Sequence, residues 1–104
     1  MAEFFQVSTA TETREQAMEL ARSVVSARLA AGVQVVGPVA SVFWHAGKYG
    51  EGEEWQLLFK VSAGAYDRLE RHLLSHHPWK NPEVAAVPIV AGSPAYLRWL
   101  KVVP

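Results

Sequence analysis

The segment VQVVGPVASVFWHA, residues 33–46, decides the architecture together with the two stretches that answer it, GKYGEG at 47–52 and WQLLFKV at 55–61. Residues 33–46 are rich in β-branched and aromatic side chains, the composition of a strand. Gly37-Pro38 interrupts the run. Proline has no N–H to give a sheet ladder, so that point is a bulge, a kink or an exposed edge. Three glycines between 47 and 52 predict the turn of a long hairpin. In the return strand, Trp55, Leu57, Phe59 and Val61 share one face, and Gln56, Leu58 and Lys60 share the other.

Upstream of the hairpin, residues 4–9 alternate as a strand, with Phe5 and Val7 on one side and Phe4, Gln6 and Ser8 on the other. A helix follows. Thr13 is its expected N-cap, with Gln16 at capping-box spacing. Ala17, Leu20, Ala21, Val24, Ala27 and Ala31 recur at helical period, and Gly32 stands where a C′ glycine would end the helix. Downstream, the pattern predicts a second helix from about Gly64 to His76, with Tyr66, Leu69 and Leu73 on its apolar face. His77-Pro78 ends it, because the residue before proline disfavours helix. Residues 84–91 read as a fourth strand. Ser93-Pro94 opens a short C-terminal helix carrying Tyr96, Leu97 and Leu100. Two interleaved βαβ halves with right-handed crossovers make a four-stranded antiparallel sheet with two helices on one face. The expected fold class is therefore α+β, a ferredoxin-like βαββαβ sandwich with a long β2–β3 hairpin and a short C-terminal helix.

At 104 residues the chain reads as a single domain, 1–104, since two would leave each half without a stable core. Ten Lys and Arg balance ten Asp and Glu, so no basic excess exists to hold nucleic acid. The absence of cysteine excludes disulfides, zinc-thiolate sites and thiol chemistry. No apolar run approaches the roughly 20 residues that cross a bilayer, and no secretory leader is visible. The expected address is the cytoplasm, with neither membrane nor nucleic acid as partner.

Two helices cover one face of such a sheet. The other face, with Phe4, Gln6, Ser8, Gln56, Leu58 and Lys60, is too apolar for water and too polar for a dry core, which suits a wet interface with further copies of the chain. Val39, Val42, Phe43 and Trp44 exceed what a small sheet covers alone, so the hairpin is expected to reach a neighbour and pair its edges.

Histidine is the residue type able to carry chemistry near neutral pH. His72 and His76 are four apart on the second helix, a metal-compatible spacing; the competing reading is a solvated helix end, where a cation is favoured. His45 follows Trp44 in the hairpin and needs a carboxylate such as Glu51, Glu53 or Glu54 to become a base or ligand. No nucleophile elbow, phosphate loop or dinucleotide fingerprint is present. No catalytic residue is assigned.

The stretches ARLAAGV at 27–33, SVFWHAGK at 41–48, EWQLLFK at 54–60, SHHPWKNPE at 75–83 and YLRWL at 96–100 resemble, in order and spacing, the CutA divalent-cation tolerance family. The resemblance implies a ferredoxin-like homotrimer without catalytic activity, linked to tolerance of copper and other divalent ions, with trimers like those of the PII signalling proteins. A PII-like module with a small ligand in the clefts between subunits is the alternative it suggests, and a small enzyme using His45 or His77 as base is a third. Copper-binding members use a cysteine at the end of the first strand and histidine at a His-Pro turn. The matching positions here are Ser8 and His76-His77, and Gly32 replaces a second family cysteine. Thiolate is what favours Cu(I), so the resemblance implies a weaker imidazole site at His76 and His77 for Cu(II) or another divalent cation. The His-Pro-Tyr-Glu segment of many members is His77-Pro78-Trp79-Lys80, an ammonium in place of a carboxylate.

Overall fold

A computed structural model describes residues 2–102. The elements run β1 (Phe4–Thr11), α1 (Arg14–Ser26), β2 (Gly32–His45), β3 (Lys48–Ser62), a 3₁₀ turn (Ala63–Ala65), α2 (Tyr66–His76), β4 (Ala85–Pro88) and α3 (Pro94–Val102). One antiparallel sheet has the order β2-β3-β1-β4, the expected ferredoxin-like arrangement. α1 starts as its sequence requires: the Gln16 N–H donates to Thr13 Oγ1 at 3.1 Å, and the Gln16 side chain accepts from the Thr13 N–H at 3.3 Å. Val7, Leu57, Phe59 and Val61 of the sheet pack against Ala17, Leu20, Ala21 and Val24 of α1 and Leu69 and Leu73 of α2 in one apolar core.

The end of α1 differs from expectation. The helix stops at Ser26, and Arg28, not Gly32, takes the left-handed conformation, with φ 60°. Arg28 N–H donates to the Val25 carbonyl at 3.0 Å and Leu29 N–H to the Val24 carbonyl at 3.2 Å, the paired bonds of a Schellman motif. Ala27 and Ala31 therefore lie beyond the helix, and Gly32 opens β2. The hairpin turn is also shorter than the glycine cluster suggested. His45 pairs with Lys48, leaving only Ala46 and Gly47 between the strands, both at positive φ (52° and 75°). A two-residue turn of that handedness matches the strand twist. Gly50 and Gly52 belong to β3. Gly50 is required by packing: a Cβ there would stand 2.6 Å from the Phe43 ring.

Gly37-Pro38 is a bulge. Val36 pairs with Gln56 and Val39 with Glu54, so three steps along β2 answer two along β3. One extra residue inverts which side chains of β2 face which side. Before the bulge, Val33 and Val35 pack against the core. Beyond it, Val42 and Trp44 share the core-side face with Tyr49 and Glu51, whereas Phe43 moves to the opposite face over Gly50. Gly37 is held by contact as well, since an added Cβ would lie 2.6 Å from two carbons of the Trp55 indole and 3.1 Å from its Cγ. Gly37→Ala is therefore expected to lower unfolding free energy by about 1–2 kcal/mol, measured by denaturant titration. An unchanged midpoint would show that the indole moves aside freely.

The second sheet face is partly covered by the chain itself. α3 lies on it, with Trp99 so close over Gly32 that a Cβ would meet its ring at 3.3 Å. Leu100 and Phe4 are buried there, outside the main core. Burial on this face also lowers the Lys60 pKa. β4 is shorter than expected, four residues, and all four are exposed. The hairpin extends the molecule to 44 × 25 × 22 Å.

Candidate functional site

The histidines singled out by sequence separate into two structural situations. His77 caps α2: its N–H donates to the Leu73 carbonyl at 2.9 Å, and its extended ψ of 138° turns the chain out of the helix. Its side chain is buried. Nδ1 accepts from the Trp79 N–H at 3.0 Å, which leaves the ring proton on Nε2, donated to the Ala10 carbonyl at 2.8 Å. Burial holds its pKa below the ordinary histidine value, with the Ala10 bond pulling weakly upward. Both nitrogens of this neutral ring are engaged within the chain. The arrangement ties the loop after α2 to the end of β1, and a metal ion at Nδ1 would have to displace the Trp79 N–H.

His76, next in sequence, is exposed and shares none of those partners. Its ring stacks on His72, centroids 3.9 Å apart and planes 16° from parallel. His76 Nδ1 lies 2.8 Å from the His72 carbonyl, which can only accept, so Nδ1 carries the proton and Nε2 holds the lone pair. His72 Nε2 forms a 2.7 Å hydrogen bond with Ser23 Oγ on α1. Burial lowers the His72 pKa, and the neighbouring His76 lowers it further. Gln16, Glu19, Leu20, Ser23, His76 and Pro78 line a groove of about 300 Å³ between the helices.

Ser8, at the family's cysteine position, is half-buried in β1, opposite Leu58 and Ala85, on the sheet face away from α1 and α2. His45 is exposed at the hairpin end. The register places it on the face of Lys48, Gly50 and Glu54, though Glu54 pairs six residues back at Val39; Glu51 and Glu53 lie on the other face, and Glu51 accepts the Tyr49 hydroxyl. Among the described residues, no group of three or more His, Cys, Asp or Glu side chains is placed to hold a metal ion. No helix among them is long and apolar enough to cross a membrane. The structure thus brings His72 and His76 together and gives His76 and His77 different partners. The Ser23–His72 link escaped the sequence reading, since 49 residues separate the two and Ser23 only flanks the apolar stripe of α1.

The comparisons with known proteins agree with this fold. The model of a family described as CutA1 divalent ion tolerance protein matches residues 5–102. A chloroplastic protein CutA 1 from Oryza sativa is 39% identical over 88 residues, 85% of this chain and 50% of the relative, so the chain spans half that protein's length. A divalent-cation tolerance protein CutA from Thermus thermophilus is 35% identical over 89 residues, 86% of each chain. The crystal structure of CutA1 from Oryza sativa superposes with a TM-score of 0.91 at 35% identity, covering 96% of this chain and 92% of that one. The four-stranded sheet with its long bulged hairpin, and a family match running from β1 to the end of α3, make this chain a member of the CutA1 divalent ion tolerance family.

Proposed function

We propose that the protein serves divalent-cation tolerance without catalysis, as a homotrimer that binds Cu(II) or another divalent cation weakly through imidazole. The observation that carries the assembly is the hairpin: Val42, Trp44 and Tyr49 are 67%, 76% and 59% exposed on one face of it. Apolar area of that kind on a separate chain is rare. The free edges of β2 and β4 differ, so pairing one with the other between copies is heterologous, the kind of contact that makes a ring when the rotation between copies closes. The absence of thiols restricts a cation site to nitrogen and oxygen donors, which suit Cu(II) and Zn(II) better than Cu(I). The non-catalytic part of the reading is supported by His45, which pairs with Lys48 while Glu54 on the same face pairs six residues back at Val39, and by His77, whose nitrogens are both engaged.

Sedimentation equilibrium at micromolar concentration is expected to return three times the 11.5 kDa chain mass. Calorimetry of the same sample with Cu(II) is expected to show saturable binding. A single-chain mass removes the assembly; a flat titration removes the cation.

A further inference from the structure

We propose that Lys60, with Gln6 and Ser8 beside it, forms a binding site for a small oxyanion, a carboxylate or phosphate, on the sheet face away from α1 and α2. The proposal goes beyond the cation reading above and does not depend on it.

The register sets these three residues together. Gln6 stands directly opposite Lys60 in the β1–β3 ladder, and Ser8 pairs with Leu58, the next residue of β3 on that face. Alternation puts all three on one side of the sheet, and each is half-buried. In the β2–β3 ladder Lys60 pairs with Gly32, over which the Trp99 ring lies. The lysine thus has an indole on one flank, and an amide and a hydroxyl on the other.

No carboxylate of the sheet answers it. β1, β2, β4 and α3 contain no Asp or Glu. Of the acidic residues in β3, only Glu54 shares this face, and six residues of strand put it on the order of 20 Å from Lys60. Glu3 and Glu83 lie outside the strands and are exposed. α3 adds Arg98 and Lys101 to this layer, which is therefore cationic in a chain without net charge. Burial lowers the Lys60 pKa, and no neighbouring carboxylate acts against it. A desolvated ammonium without a counter-charge is costly. An oxyanion at Nζ supplies that charge and favours the ionised form. The lysine ammonium, the glutamine amide and the serine hydroxyl can all donate, and ionised carboxylate oxygens only accept, so the donor set fits an oxyanion.

The test is calorimetric titration of the full chain with sodium phosphate and, separately, with sodium succinate, at pH 7.5 and an ionic strength held by sodium chloride. The variants Lys60→Met, Lys60→Arg and Ser8→Ala are run beside it, each checked for fold by circular dichroism and for mass by sedimentation. The unmodified protein is expected to give saturable binding with one of the two anions, and that arm names the oxyanion. Lys60→Met is expected to weaken it at least tenfold, Ser8→Ala about threefold, and Lys60→Arg to retain it. Undiminished binding in Lys60→Met or in Ser8→Ala overturns the site. So does the absence of uptake of either anion by the unmodified protein. If in that case Lys60→Met also lowers the sedimenting mass, the ammonium is answered by a carboxylate of a second copy and not by an anion.

Discussion

Replacing His77 by leucine is expected to lower unfolding free energy by about 2–4 kcal/mol, because it leaves the Ala10 carbonyl and the Trp79 N–H without the ring that pairs them. Leucine fills most of the volume, so the loss reports the hydrogen bonds and not a cavity. Two further variants divide the effect. In His77→Asn the side-chain oxygen stands near the place of Nδ1 and accepts from Trp79, but nothing reaches Ala10. In His77→Gln the amide nitrogen stands near the place of Nε2 and donates to Ala10, but the Trp79 bond is lost. Each is expected to recover roughly half of the leucine loss.

The same ring sets part of the acid limit. Unfolded, His77 takes up a proton near pH 6.5 or so; folded, burial holds its pKa lower. Below about pH 6.5 the unfolded chain therefore binds more protons than the folded one, and stability falls as pH falls. Above it, both states are neutral and the contribution is whole. His72 has a lowered pKa and adds a fall of the same sign. Chemical denaturation from pH 8 to pH 5 is expected to give a shallower acid slope for His77→Leu than for the unmodified protein. An identical slope would mean that the folded chain takes up the proton at His77 as readily as the unfolded one.

Much of the fold was legible because its signals are periodic. The alternation in 55–61 and the apolar stripe over Ala17, Leu20, Ala21 and Val24 are local patterns, and the core uses those residues. What escaped depends on contacts between distant segments. The glycine cluster at 47–52 looked like a turn because glycine suits turns, yet Gly50 is there to let the Phe43 ring lie on the strand. Gly-Pro at 37–38 announced an irregularity but not its arithmetic, and the single extra residue is what puts Trp44 rather than Phe43 on the core-side face. Gly32 looked like a helix cap and instead admits Trp99 of α3, which is why the second sheet face is partly covered by the chain itself. The histidines divide the same way. The His72–His76 spacing is visible on one helix, whereas the partner of His77 is a backbone carbonyl 67 residues away, which leaves no mark in a sequence.

Val42→Asp/Trp44→Asp is expected to convert the protein into single chains at micromolar concentration. Both side chains lie on one face of the hairpin, beside Tyr49, and Trp44 meets Tyr49 edge to face at 6.2 Å. None of the three belongs to the core, so the variant should keep its fold. In a trimer their burial contributes on the order of 2–3 kcal/mol each, and a carboxylate brought into the same contact adds desolvation against assembly. Association should weaken by at least a hundredfold, about 3 kcal/mol per interface. Leu74→Asp is the control: it adds the same charge at a side chain 52% exposed on α2, away from the hairpin, and should sediment like the unmodified protein. If the hairpin variant still sediments at three chain masses, the copies hold one another elsewhere, through the edges of β2 and β4 or the surface of α3. If the control dissociates as well, added charge alone breaks the assembly and the hairpin loses its special place. Monomers from the hairpin variant alone locate the clamp beyond the bulge, where one inserted residue turned Val42 and Trp44 to the core-side face.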